Sequence, residues 1–181
     1  MQVIQLLKSY STGRRDFSGV DFREAWMPGV KLSQAILRGA DLTRSNLSYS
    51  VLQRADLSKA MLWRTDLSGA QLQQSSFDKA TLIRCQLGKS ILNSCSFVAA
   101  DLRLADLRDA QLEEANLRNA RLCYADLSRC TLRGSDLRGA DLTGAILTDV
   151  DLTGCQLPQA QLSGAEQLSE SFTDSSTPMA V

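Results

Sequence analysis

From Phe17 to Leu162 a large apolar residue stands at every fifth position, and the residues between are mostly small or polar. The stretch SDLRGADLTGAILTDVDLTG, residues 135–154, shows the rule with Leu137, Leu142, Leu147 and Leu152. A helix has no use for this spacing, because five steps of about 100° carry each leucine to a new face. A flat strand has none either, since an odd step sends successive leucines to opposite faces. A chain that turns once per pentapeptide, always in the same sense, brings every leucine to a common axis. The pattern predicts an all-β solenoid.

Taking each large apolar residue as the centre of a pentapeptide gives (162 − 17)/5 + 1 = 30 consecutive units, and every centre is Leu, Phe or Met. Two residues before each centre, from Val20 onward, only Ala, Ser, Cys, Thr or Val occurs. The strand period of two places both positions on the inward side. From a centre to the next small residue is three steps, so the backbone must turn at the two residues after the centre. Gly69, Gly134, Gly139 and Gly144 occupy the second of those turn positions, where glycine most easily takes a positive φ.

The A-[DN]-L-x-x pattern of ADLSK (55–59), ADLRD (105–109), ANLRN (115–119) and ADLTG (140–144) resembles the pentapeptide-repeat family. The resemblance covers residues 15–164 and implies a right-handed quadrilateral parallel β-helix with four pentapeptides per coil. On that basis thirty units make 30/4 = 7.5 coils, a rod about 36 Å long at ~4.8 Å per coil. The opening LLKSYSTGRRDFSGVDF is similar to the start of many cyanobacterial family members. AMLWRTDLSGAQL is similar to part of a heterocyst-regulating member, which implies a signalling or developmental role.

Three segments follow. Residues 1–14 are expected to form an N-terminal capping helix, with Val3, Ile4, Leu6, Leu7 and Tyr10 on one apolar face and Gly13 at its end. The cap covers an open edge that would otherwise invite pairing. Residues 15–164 form the β-helix. At Gln167 the period fails, so residues 165–181 are expected to supply a short cap through Leu168 and Phe172 and then a flexible, serine-rich tail.

Twenty basic and twenty acidic residues cancel, which favours neither nucleic-acid binding nor mimicry of nucleic acid. No apolar run is long enough to span a membrane, and the start lacks a secretory leader's pattern, so a soluble, cytoplasmic protein is expected. With no histidine, the usual general base is missing. The aspartates before the centres, such as Asp101, Asp106, Asp136 and Asp141, recur with the repeat; they read as outward groups bonding nearby backbone rather than as catalytic pairs. Four of the five cysteines, Cys85, Cys95, Cys130 and Cys155, occupy the small inward position, whereas Cys123 lies outward. No C-x-x-C pair occurs. No catalytic residue, cofactor or metal site is expected.

Function is therefore sought where outward positions depart from small and polar. Folding the chain at twenty residues brings Leu62, Leu82, Leu102, Leu122 and Leu142 into one column. Around it lie Met61, Trp63, Ile83, Leu104, Cys123 and Tyr124, with Arg44, Arg64 and Arg84 as successive rungs at the corner. Apolar and aromatic groups bordered by arginine have the composition of a protein interface. The plainer alternative is drift at exposed sites. The reading is a scaffold or regulatory module for a protein partner whose identity the residues do not give, acting as a monomer or weak end-to-end dimer. The competing expectation, drawn from the quinolone-resistance members of the family, is a DNA mimic that binds gyrase. Such mimicry needs a strongly acidic surface, and this chain has a net charge of zero.

Overall fold

The structure is a computed structural model and describes residues 2–165. The expected C-terminal cap at Leu168 and Phe172 and the tail beyond lie outside the described residues. Parallel bridges join the residue before each centre to the one twenty positions later, from Asp16↔Ile36 to Asp141↔Gln161. Four pentapeptides therefore complete one coil of a right-handed, four-sided β-helix. Each rung contributes a single ladder residue, so the sheets run along the rod rather than along the chain.

The backbone polar groups are accounted for position by position. The centre, the residue before it and the second residue after it all donate to neighbouring coils, as in Leu62 N–H to Thr81 O (2.8 Å), Met61 N–H to Ala40 O (2.9 Å) and Arg64 N–H to Ile83 O (3.1 Å). The third residue after the centre closes the turn onto the centre's own carbonyl, as in Thr65 N–H to Leu62 O at 3.2 Å. That leaves the first residue after the centre. Where Asp or Asn stands two residues earlier, that side chain accepts its N–H: Thr43 by Asp41 (3.0 Å), Ser68 by Asp66 (2.9 Å), Arg103 by Asp101 (3.3 Å). The recurring aspartate supplies an acceptor for the one donor that the coils leave over.

In each of the thirty turns the second residue after the centre has φ between +54° and +73°. Together with the bond back to the centre's carbonyl this is the pattern of a type II turn. Twenty-one of these positions are not glycine, yet none of them is Val, Ile or Thr. A β-branched side chain is the least tolerant of the left-handed region, so the repeat accepts almost anything else at its corners.

Centres from Phe17 to Leu147 are buried, none more than 4% exposed. They form four columns, led by Phe17, Phe22, Met27 and Leu32, and the sides of the rod are called first to fourth in that order. In the first column Phe77 and Phe97 stack with centroids 4.9 Å apart, about the ~4.8 Å distance between paired strands. The inward small site also hosts polar atoms. Thr65, Ser75 and Cys95 each donate to a centre carbonyl of the preceding coil, Leu42, Leu52 and Leu72, at 2.7 to 2.9 Å. Burial pushes the Cys95 and Cys130 thiols up to about 12, so they remain protonated donors.

The N-terminal helix α1, Val3–Ser11, opens with Gln2 bonded to the Gln5 side chain and ends at Thr12. Leu6 is buried, Val3 and Tyr10 are half-buried, and the Tyr10 hydroxyl donates to Ser33 O at 2.9 Å. Ile4 and Leu7, expected on the same apolar face, are exposed. Leu6 lies three residues after Val3, and Tyr10 four after Leu6, so these three share one side, while Ile4 and Leu7 rotate to its edge.

Candidate functional site

The second side carries the column Phe22, Leu42, Leu62, Leu82, Leu102, Leu122 and Leu142. Coil-to-coil bonds fix its outward residues in register: Met61 bridges Thr81, and Thr81 bridges Asp101. At its corner Arg44, Arg64, Arg84, Leu104 and Tyr124 follow one another, each tied by its backbone N–H to the next coil at 2.9 to 3.1 Å. The expected grouping of these residues on successive coils is thus present in the fold.

Exposure within the group is uneven. Met61, Leu104 and Tyr124 are exposed, whereas Trp63 and Ile83 are half-buried. Tyr124 is 63% exposed, but its ring is not loose: a Cβ on Gly144, one coil on, would come within 2.5 Å of it. The absence of that carbon gives the ring a shelf. Tyr49 uses Gly69 in the same way on the third side, with a clearance of 2.7 Å to the missing Cβ. Tyr49 and Trp26, 72% and 74% exposed, make that side, among the described residues, the other place where large aromatics stand in solvent. Tyr49 is not among the residues that the sequence singles out; the glycine twenty residues later is the available signal.

The arginines differ in their partners. Among the described residues, ten of the fifteen lie within 4.0 Å of a carboxylate. The local D-L-R unit explains several: Arg103 is held by Asp101 (2.8 Å), Arg108 by Asp106 (2.6 Å) and Arg138 by Asp136 (2.6 Å). In return the Arg108 and Arg138 guanidinium groups hold the Asp106 and Asp136 carboxyls below the usual carboxylate range. Arg44 belongs to this paired set through Glu24 at 3.2 Å.

Arg64 and Arg84 do not. On their rungs the position before the centre holds Met61 and Thr81 where the repeat favours Asp. Two groups lose an acceptor at once. The Trp63 and Ile83 N–H groups find none among the described residues, and neither do the two guanidinium groups. Arg64 lies over the Trp63 ring, 4.6 Å from its centroid, which orients it without neutralising it. The nearest acids along the ladder are already engaged: Asp41 accepts from Thr43, and Asp101 is paired with Arg103 and Arg121.

Cys123, on the same side, donates to the Asp141 carboxylate at 3.0 Å. Burial, with Asp141 beside it, raises its thiol, so it is a hydrogen-bond donor rather than a ready thiolate. A shallow groove of about 280 Å³ on the fourth side is lined by Ser33, Gln34, Gln53, Arg54, Gln73 and Gln74. It offers no apolar anchor. Among the described residues no helix is long and apolar enough to cross a membrane.

The family model for pentapeptide repeats matches eight copies between residues 16 and 166. A pentapeptide repeat protein from the Arabidopsis thaliana thylakoid lumen is 31% identical with a TM-score of 0.55; the match covers 57% of this chain and 71% of that one. HetL, a pentapeptide repeat protein involved in heterocyst differentiation regulation from the cyanobacterium Nostoc, is 32% identical over 91% of this chain and 96% of its own, with a TM-score of 0.35. QnrB1, a plasmid-mediated fluoroquinolone resistance protein, is 18% identical, covering 81% of this chain and 90% of that one at a TM-score of 0.39. No curated protein matches the chain. A repeat that places its apolar centres, its turns and its aspartates by one five-residue rule for thirty units, and that matches this model over most of its length, belongs to the pentapeptide-repeat family.

Proposed function

We propose that this chain is a non-enzymatic interaction module, a rigid rod that presents its second side to a protein partner in a regulatory assembly. The observation that carries the reading is the coincidence, on adjacent rungs of one side, of exposed Met61, Leu104 and Tyr124 with two arginines that no carboxylate among the described residues neutralises. Scattered apolar residues on a surface need no explanation. A cluster in fixed register, with an aromatic ring held on a glycine shelf, has the character of a pre-organised anchor.

The test uses the intact chain as bait in native lysate. Trp63→Ala with Arg84→Ala is expected to abolish most of the captured signal and leave the melting temperature nearly unchanged, because neither side chain is in the core. Gln53→Ala with Gln73→Ala on the opposite, fourth side is expected to change nothing. Equal capture by both variants would remove the reading.

A second expectation separates this reading from gyrase mimicry. The surface aspartates are largely engaged by neighbouring arginines and backbone N–H groups, and the net charge is zero. A modest excess of the purified protein should therefore leave supercoiling by gyrase unaffected. Inhibition at sub-micromolar protein would put mimicry first.

A further inference from the structure

We infer that the second side binds an acidic α-helix laid along the rod axis, its carboxylates taking the place that the repeat's own aspartates hold on other rungs. This rests on the interaction reading above and names the chemistry of the partner. On the rungs of this side that have an aspartate before the centre (between Asp21 and Asp141, all but those of Met61, Thr81 and Arg121), it accepts the N–H two residues on and, where an arginine follows, its guanidinium: Asp21 does both for Arg23, and Asp101 does both for Arg103. At Met61 and Thr81 that carboxylate is missing on two consecutive rungs. What remains is a backbone donor and a cation on each, Trp63 N–H with Arg64 and Ile83 N–H with Arg84, without an acceptor among the described residues.

The spacing selects the partner's secondary structure. Successive rungs are about 4.8 Å apart, close to the ~5.4 Å between groups one turn apart on a helix face. Alternate side chains on an extended strand lie about 6.6 Å apart and would miss the second rung. The helix's next turns then reach Leu104 and Tyr124, the apolar end of the same corner column, so apolar residues should follow the acidic pair. Arg64 is already oriented by the Trp63 ring and Tyr124 by Gly144, which lowers the ordering cost of binding.

The probe is a stapled helical peptide with two glutamates one turn apart and leucines on the next turns of the same face, beside a twin with glutamine for glutamate. Anisotropy titration at low salt should show the glutamate peptide bound, weakening as salt rises. Arg64→Glu and Thr81→Asp should each weaken it about tenfold or more, and the glutamine twin should not bind. Thr81→Asp is the decisive change, since it removes no apolar contact and returns the missing acceptor. The ladder already tolerates aspartate beside aspartate, as at Asp21↔Asp41 and Asp106↔Asp126, so this variant should keep the wild-type melting temperature.

Equal binding of the two peptides, no binding of either, or tighter binding of a short DNA duplex would overturn the inference. Capture of the native partner that is lost in the Trp63→Ala, Arg84→Ala variant yet unaffected by Thr81→Asp would also overturn it, leaving the interaction reading in place. Capture unaffected by either variant would remove both.

Discussion

Replacing Phe77 by alanine is expected to destabilise the protein by about 3–5 kcal/mol. Phe77 is fully buried in the middle of the first column and stacks on Phe97 at 4.9 Å. Coils are held in place by backbone bonds above and below, so the column cannot collapse sideways to fill the space. The loss is therefore that of the transferred ring plus a retained cavity. Phe77→Leu should cost much less, because the same column accepts leucine at Leu57 and Leu117. Chemical denaturation of the three proteins reads the difference directly. Near-equal midpoints would mean that the columns are not packed as described.

Substituting leucine for Ala80 is expected to cost about 1–3 kcal/mol through overpacking. Ala80 is 1% exposed and lies on the inward side between the Phe77 and Leu82 centres. Its immediate neighbour Lys79 is exposed at a corner with φ +59°. Lys79→Leu should stay within about 0.5 kcal/mol, since both side chains are unbranched at Cβ and strain the turn alike. Adjacent positions with opposite responses are what a coil demands. Similar losses at both would show the inward and outward assignment to be wrong.

Much of the fold was legible because one rule governs it. The fifth-residue centres and the small residues two before them give the inward set, and both are buried along nearly the whole rod. Four units per coil came only with the family resemblance, since a period of five shows that a chain coils but not how many turns close a coil. The helix face was read too broadly: apolarity at Ile4 and Leu7 says nothing of which side meets the first coil.

The candidate site was legible as a column and not as chemistry. Periodicity aligned Arg44, Arg64 and Arg84 as equals. Pairing divides them, since Glu24 lies one coil below Arg44 while Met61 and Thr81 leave Arg64 and Arg84 without an acid among the described residues. That difference was present in the sequence as two missing aspartates, but it acquires meaning only once the aspartate's bond to the backbone is seen. The Tyr124 shelf is similar, for it depends on Gly144 twenty residues away.

The most direct test of the account is a hydroxyl-radical footprint of the intact chain with and without its captured partner. Met61, Trp63, Leu104 and Tyr124 should become protected, while Trp26 and Tyr49 on the third side, equally reactive and more exposed than Tyr124, should not change. Protection of Trp26 and Tyr49 with the second side unaltered would contradict it.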